Sequence, residues 1–327
     1  MADRPRVVMD PSETYRRLVP VDRLAPPITP TDDVYVIAHM GLAGVDVTTW
    51  RLTVEGLVER PFMLDYESLT RLPATEVTAV LECFGNPVEP DVPTRRVANV
   101  VWHGVRLADL LERAGVKPGA RYLWAEGLDS GRFAGVDSDR YVKDLPLARA
   151  LEPDALVAWA MNGEPLTREH GFPARVFVPG YFGTNAVKWL WRLTVAAERP
   201  ESLFTTRLYN RRVGNELRPV RELDVNAVIA TPANGARLRP GRHAIEGWAW
   251  SHSAVRTVEV SVDGGITWMQ AHLGSRGHDH QWQAFTCPWD VDAHGHYALT
   301  TRATDTESRT QPAAGRNRMH AVSVVVA

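Results

Sequence analysis

Val80-Leu81-Glu82-Cys83-Phe84-Gly85-Asn86 is an apolar, strand-like run that breaks into a glycine turn, with a cysteine at the break. Cys83 is one of only two cysteines in 327 residues. A thiolate held at the end of a strand serves as a nucleophile, a redox thiol or a soft metal ligand. The commoner role of a free thiol is that of a small buried hydrophobe, so the surrounding sequence must choose.

Upstream, Val77 to Leu81 reads as the strand that delivers Cys83, and Trp50 to Val54 alternates as a strand does before Glu55-Gly56 turns the chain. Asp65 is placed to cap a short helix over Tyr66 to Leu72, which Pro73 ends. Downstream, the spacing from Val105 to Ala114 predicts an amphipathic helix with Gly115 as its stop. Tyr122 to Glu126, Ala155 to Met161 and Arg175 to Pro179 read as strands, and Leu147 to Leu151 as a short helix. The mixture is α+β. Past Val225 helix signals vanish. Val258 to Val262, Asp263-Gly264-Gly265 and Ile266 to Met269 form a hairpin signature, and Tyr297 to Ala303 alternates similarly, which predicts a β-sandwich.

The length suggests two domains, and 44% hydrophobic residues suffice for substantial cores. A net charge of −2, with no basic block, makes a small molecule a better expected partner than nucleic acid. No run approaches the roughly 18 apolar residues of a membrane span. As the sequence stands, with no signal-peptide core, a cytoplasmic location is expected, or a periplasmic one if an export signal has been removed. Cys83 and Cys287 fall in different predicted domains, so a disulfide between them is not expected.

In chain order, the Cys83 segment is followed by Trp102-His-Gly-Val, Glu126-Gly-Leu-Asp-Ser130, and Tyr141 five residues before Pro146. Then come Met161-Asn-Gly-Glu-Pro-Leu166, His170-Gly-Phe-Pro-Ala-Arg175, Val178-Pro-Gly180 and Val187-Lys-Trp-Leu190. This ordered set resembles the sulfite oxidase family of molybdopterin-dependent oxidoreductases over roughly residues 30 to 320. The C-terminal hairpin is similar to that family's immunoglobulin-like dimerisation domain. Pro, Asp and Thr with little periodicity suggest an extended N-terminal arm (1–33), and Arg-rich composition a linker (201–224); the resemblance implies a molybdopterin-binding catalytic domain (34–200) and the dimerisation domain (225–327).

It also implies a molybdenum cofactor with Cys83 as the metal's protein ligand, a soft donor suited to that metal. Tyr141 matches the tyrosine that assists proton-coupled electron transfer. Arg175 and Lys188 match positions serving the pterin's phosphate, with Thr184 and Asn185 in a plausible backbone nest. His39, Asp129 and His170 match pterin-contacting positions. Read alone, these residues are as well explained by surface pairs, turn residues and packed side chains.

The expected reaction is oxygen-atom transfer coupled to two-electron redox chemistry, in a homodimer, with electrons passing to a separate cytochrome or other carrier. No haem or flavin is expected in this chain. Two arginine positions of authentic sulfite oxidases are occupied here by Ile37 and Pro87, and the loop from Cys83 to Trp102 is shorter. Sulfite, a dianion, needs several guanidiniums. Arg95, Arg96, Lys143 and Arg207 are the candidates to restore charge. Alternatives are a reductase of a sulfoxide or other oxygen-atom donor, a binding protein that has kept the fold, and a cysteine hydrolase using His39 or His103 as base. The pairs His278/His280 and His294/His296 share strand faces and are a further candidate metal site.

Overall fold

The computed structural model describes residues 4–5, 7–86 and 94–327. Pro87 therefore lies outside the described residues. The chain divides into two compact units. The first takes the residues up to Arg17 with Val36–Val77 and Val101–Arg221; the second takes Leu18–Tyr35, Thr78–Val100 and Glu222–Ala327.

The first unit is built on a five-stranded sheet ordered Val142–Pro146, Tyr122–Gly127, Leu190–Ala196, Leu52–Gly56, Phe62–Leu64. Its pairings are antiparallel except that of Leu190–Ala196 with Leu52–Gly56. Trp50, Leu52, Leu110, Leu123, Trp189, Trp191 and Leu193 lie in its core, where burial of each large apolar side chain contributes on the order of 2 kcal/mol. The tryptophans' polar edges are satisfied: Trp50 Nε1 donates to Leu190 O at 2.9 Å and Trp191 Nε1 to Glu126 Oε1 at 3.1 Å.

A second layer pairs Leu156–Met161 with Arg175–Phe177 on one side and with Trp102 to Arg106 on the other. The latter pairing bulges between His103 and Gly104. A Cβ on Gly104 would stand 2.2 Å from the Val157 carbonyl oxygen, so only glycine fits there. Asp65 caps the short helix Tyr66–Thr70 by accepting from Ser68 N at 2.8 Å. The second helix, Leu107–Ala114, starts two residues later than its periodicity suggests, because Val105 and Arg106 are taken into the strand ladder; Gly115 ends it at φ +69°.

Parts of the N-terminal stretch pair as short strands. Val8–Met9 pairs with Ala43–Gly44 and Tyr15–Arg17 with Val36–Ala38, while Leu18–Tyr35 belongs to the second unit. The segment expected as a linker also packs. Arg199 (2.9 Å) and Arg221 (2.8 Å) converge on the buried Asp144, and Thr205 Oγ1 donates to Val142 O at 2.7 Å.

The second unit is a β-sandwich. One sheet runs Asn226–Thr231, Gly241–Trp250, Gln283–Val291, His272–Leu273; the other runs Arg237–Leu238, His320–Val326, Gly295–Asp305, Val255–Ser261, Met269–Gln270. Its core includes Ile245, Val258, Val260, Phe285, Trp289, Leu299 and Cys287, whose thiol is free. In the hairpin, Gly264 and Gly265 sit at φ +74° and +94°, and Asp263 accepts from Ile266 N, Thr267 N and Thr267 Oγ1. No helix among the described residues is long and apolar enough to cross a membrane.

Candidate functional site

The first unit holds His39, Asp129, Tyr141, His170, Arg175, Thr184, Asn185 and Lys188; His39 and Lys188 are partly buried and the other six buried. Gly171, at φ +103°, makes the closest approach: a Cβ on it would come 2.8 Å from that of Lys188. This puts the lysine against the His170 turn. Lys188 Nζ donates to Ile37 O at 3.1 Å and Glu169 O at 3.0 Å and lies 4.4 Å from the Trp189 ring centre. Among the described residues no carboxylate stands within 4 Å of this ammonium. Burial, then the Arg175 charge, pushes its pKa down, against Asp129 and Glu169. Burial pushes the Asp129 carboxyl up, against the charges of Lys188 and Arg4.

Arg175, 3% exposed, donates to His170 O at 3.0 Å and Ala186 O at 3.2 Å, with its guanidinium 5.0 Å from the Trp102 ring centre. The buried indole Trp102 Nε1 has no hydrogen-bond partner among the described residues. His170 Nε2 lies 3.4 Å from Arg17 Nη2, and Arg17 in turn bridges Glu169 at 2.7 Å. Asn185 serves the backbone, donating to Phe182 O and Val220 O.

Tyr141, 7% exposed, donates to Thr184 O at 2.8 Å, with Thr184 Oγ1 at 3.0 Å. Its ring stacks on Phe204 at 4.4 Å. His39 lies between aromatic neighbours, 4.5 Å from Phe133 and 5.5 Å from Phe204, and its Nε2 meets the Tyr209 hydroxyl. Burial, assisted by the charges of Lys188 and Arg16, lowers its pKa to about 3, so the imidazole is neutral.

The Cys83 loop belongs to the second unit. Cys83 N donates to Arg96 O at 2.9 Å, Arg96 N to Asn86 Oδ1 at 2.7 Å, and Asn86 N to Cys83 O at 3.0 Å, which closes the turn. The thiol is free and half-buried. Burial pushes its pKa up, opposed by the Gly85 N–H and by Arg96. Beside it, the buried Glu82 accepts from Trp250 Nε1 at 2.8 Å, Asn86 Nδ2 at 3.0 Å and Asn226 Nδ2 at 3.1 Å. Burial raises the Glu82 carboxyl to about 7. Arg316 covers the Phe84 ring at 4.5 Å.

The other candidates resolve in different ways. Arg96 is the cation whose charge reaches Cys83. Arg95 is buried, donating to Thr94 O at 2.9 Å, and Arg207 is exposed. Lys143 is buried and donates to Phe204 O at 2.9 Å. No group of three or more His, Cys, Asp or Glu among the described residues is arranged to hold a metal ion, and His278, His294 and His296 reach no such group. Sequence reading missed Tyr209, Phe133, Phe204 and Glu82. Only Glu82 left a signal, as a lone carboxylate in an apolar run.

The donor set fits a molybdopterin. Lys188 and Arg175 supply cations, and the Trp102 N–H a donor without a partner among the described residues, of the kinds an anionic terminus takes. A half-buried thiol, reluctant to ionise in the free protein, is a soft donor that a bound metal would deprotonate.

Comparison with known proteins agrees. Residues 39–204 match the oxidoreductase molybdopterin binding domain, and residues 218–326 the Mo-co oxidoreductase dimerisation domain. The chain is 35% identical to mitochondrial sulfite oxidase of Rattus norvegicus over 294 residues, covering 82% of this chain and 53% of that protein. It is 32% identical to sulfite oxidase of Gallus gallus over 316 residues (87% and 68%) and 32% identical to nitrate reductase of Hordeum vulgare over 329 residues (87% and 37%). It spans about half the length of the mitochondrial sulfite oxidases it matches. The crystal structure of the sulfane dehydrogenase SoxCD from Paracoccus pantotrophus superposes with a TM-score of 0.81 at 29% identity, covering 95% of this chain and 85% of that one. On its folds, its donor set and these matches, the chain belongs to the sulfite oxidase family of molybdopterin-binding oxidoreductases.

Proposed function

We propose that the protein transfers an oxygen atom to or from a small sulfur-centred substrate, with molybdopterin as its cofactor. The observation that carries this is the Lys188 ammonium, held on two backbone carbonyls with no carboxylate within 4 Å among the described residues. A desolvated cation so placed is costly unless an anion joins it. When bound, the cofactor supplies oxygen-atom exchange and two-electron redox chemistry at its metal. Cys83 would be the metal's thiolate ligand. Lys188, Arg175, His39 and His170 would hold the pterin and its phosphate, and Asp129 would balance Lys188. The Tyr141 hydroxyl, already oriented by Thr184, would hold or pass a proton at its Oη as the substrate changes charge.

Ile37 and Pro87, at positions where sulfite oxidases carry arginines, support a substrate less charged than sulfite, and a sulfoxide suits them. Electrons would pass singly to a separate carrier, in a homodimer formed through the C-terminal domain. We assign no haem or flavin to this chain.

The test is turnover of sulfite and of sulfoxides with artificial electron acceptors and donors, comparing wild type with Cys83→Ser. A hard alcohol replaces thiolate poorly, so the variant is expected to lose turnover while its circular dichroism and melting are unchanged. Full activity in the variant would refute the assignment. Tyr141→Phe is expected to slow turnover by about 10²- to 10⁴-fold with metal content intact; loss of metal instead would give Tyr141 a purely structural role.

A further inference from the structure

A neutral imidazole carries its proton on one ring nitrogen and a lone pair on the other, so the partner of one nitrogen dictates what the other offers. His39 is such an imidazole, and its Nε2 lies 2.5 Å from the Tyr209 hydroxyl oxygen. Phe133, Phe204, Tyr209 and Tyr141 stand around its ring at 4.5, 5.5, 5.7 and 6.0 Å between centroids.

Tyr209 is held in an unfavourable conformation. Its φ is +56°, a left-handed backbone that costs a bulky side chain about 1–2 kcal/mol. The neighbouring chain enforces it. Val220 N donates to Tyr209 O at 2.8 Å, Leu208 N to Leu203 O at 2.8 Å, and the Asn210 side chain to Leu208 O at 3.0 Å and Thr205 O at 3.2 Å. The Lys143 ammonium stands 5.7 Å from the Tyr209 ring centre. Strain sustained from this many directions, on a residue whose hydroxyl meets an imidazole, points to a placed group.

We infer that Tyr209 is a positioning residue for the cofactor site: its hydroxyl donates to His39 Nε2 and fixes the tautomer whose Nδ1 carries the proton, making His39 a hydrogen-bond donor to the pterin. Lys188, Arg175 and the Trp102 N–H are donors as well. A further donor matches an acceptor-rich ligand. The opposite tautomer would set a lone pair where its neighbours offer protons. The role toward pterin, and the choice of tautomer argued from it, rest on the reading above; the Tyr209–His39 bond does not.

The experiment is ¹⁵N NMR of histidine-labelled, cofactor-free protein, with the His39 ring signals assigned by their loss in His39→Gln. Wild type is expected to show a protonated Nδ1 and an accepting Nε2, and Tyr209→Phe a shift of the proton toward Nε2. A protonated Nε2 in wild type overturns the inference without any variant; so does a Tyr209→Phe tautomer identical to wild type. The second readout is pterin retained per chain after gel filtration of protein from a cofactor-competent host, expected to reflect about tenfold weaker binding in Tyr209→Phe, the loss of one hydrogen bond. Wild type with the expected tautomer but no pterin would overturn the role toward pterin and the cofactor reading together, leaving the Tyr209–His39 bond standing. Undiminished pterin in Tyr209→Phe would overturn the positioning role alone.

Discussion

Each unit buries an ionisable cluster, and the two are satisfied in opposite ways. In the second, the Glu82 carboxylate receives three neutral N–H donors from Trp250, Asn86 and Asn226, so its acceptors are matched by its own chain. In the first, Lys188 is set against backbone carbonyls, and the Trp102 indole donor has no hydrogen-bond partner among the described residues. A closed network of this kind supports a fold; an excess of buried donors marks a place prepared for something else. Glu82 therefore reads as the structural anchor of the Cys83 loop and the Lys188 network as a ligand site.

The comparison is most strongly stressed by Glu82→Leu. Three buried donors would lose their acceptor, at about 1–3 kcal/mol for each that finds no water, so the variant is expected to lose about 4 kcal/mol in urea denaturation. A loss below about 1 kcal/mol would mean that the network is not what holds the loop.

Next is Lys143, a buried cation with a nearby carboxylate, Asp144. Burial lowers its pKa from 10.5 to about 8, against the pull of Asp144. Between those pH values the unfolded chain binds more protons than the folded one, so stability rises with pH there. The penalty is complete below about pH 8 and vanishes near 10.5; at one to two kcal/mol per unit it amounts to about 3 kcal/mol. Lys143→Met is expected to flatten that rise relative to wild type. An unchanged slope would assign the rise to other groups.

Lys188→Met separates the two clusters most cleanly. Pterin binding is expected to weaken about thirtyfold, the worth of a charged hydrogen bond, while the cofactor-free protein is as stable as wild type or more so, because a desolvated cation is gone. A loss of cofactor-free stability as large as that of Glu82→Leu would place Lys188 among the structural groups.

Local features were legible in the sequence. The Cys83 turn, the Asp65 cap and the Asp263-Gly264-Gly265 hairpin are written within a few residues, and the structure forms each of them. The helix start was misjudged because Val105 satisfies helical spacing and strand pairing equally, and the ladder with Leu156–Met161 decides between them. What escaped depends on distant partners. Tyr209 meets His39 across 170 positions, and no local pattern reports it. The assignment of Thr78–Val100 to the second unit accompanies the bonds of Glu82 to Asn226 and Trp250, 144 and 168 residues away. Arginine-rich composition suggested a linker over 201–224, but composition cannot say that Arg221, with Arg199 just before that stretch, converges on one buried aspartate.

The central claim is that this chain binds a molybdopterin and its metal. It is tested most directly by molybdenum and pterin content per chain in protein from a cofactor-competent host, measured by elemental analysis and by release of the fluorescent pterin derivative. The account predicts near-stoichiometric metal and pterin in wild type, with metal diminished in Cys83→Ser and pterin diminished in Lys188→Met. Wild-type protein with neither metal nor pterin would contradict it.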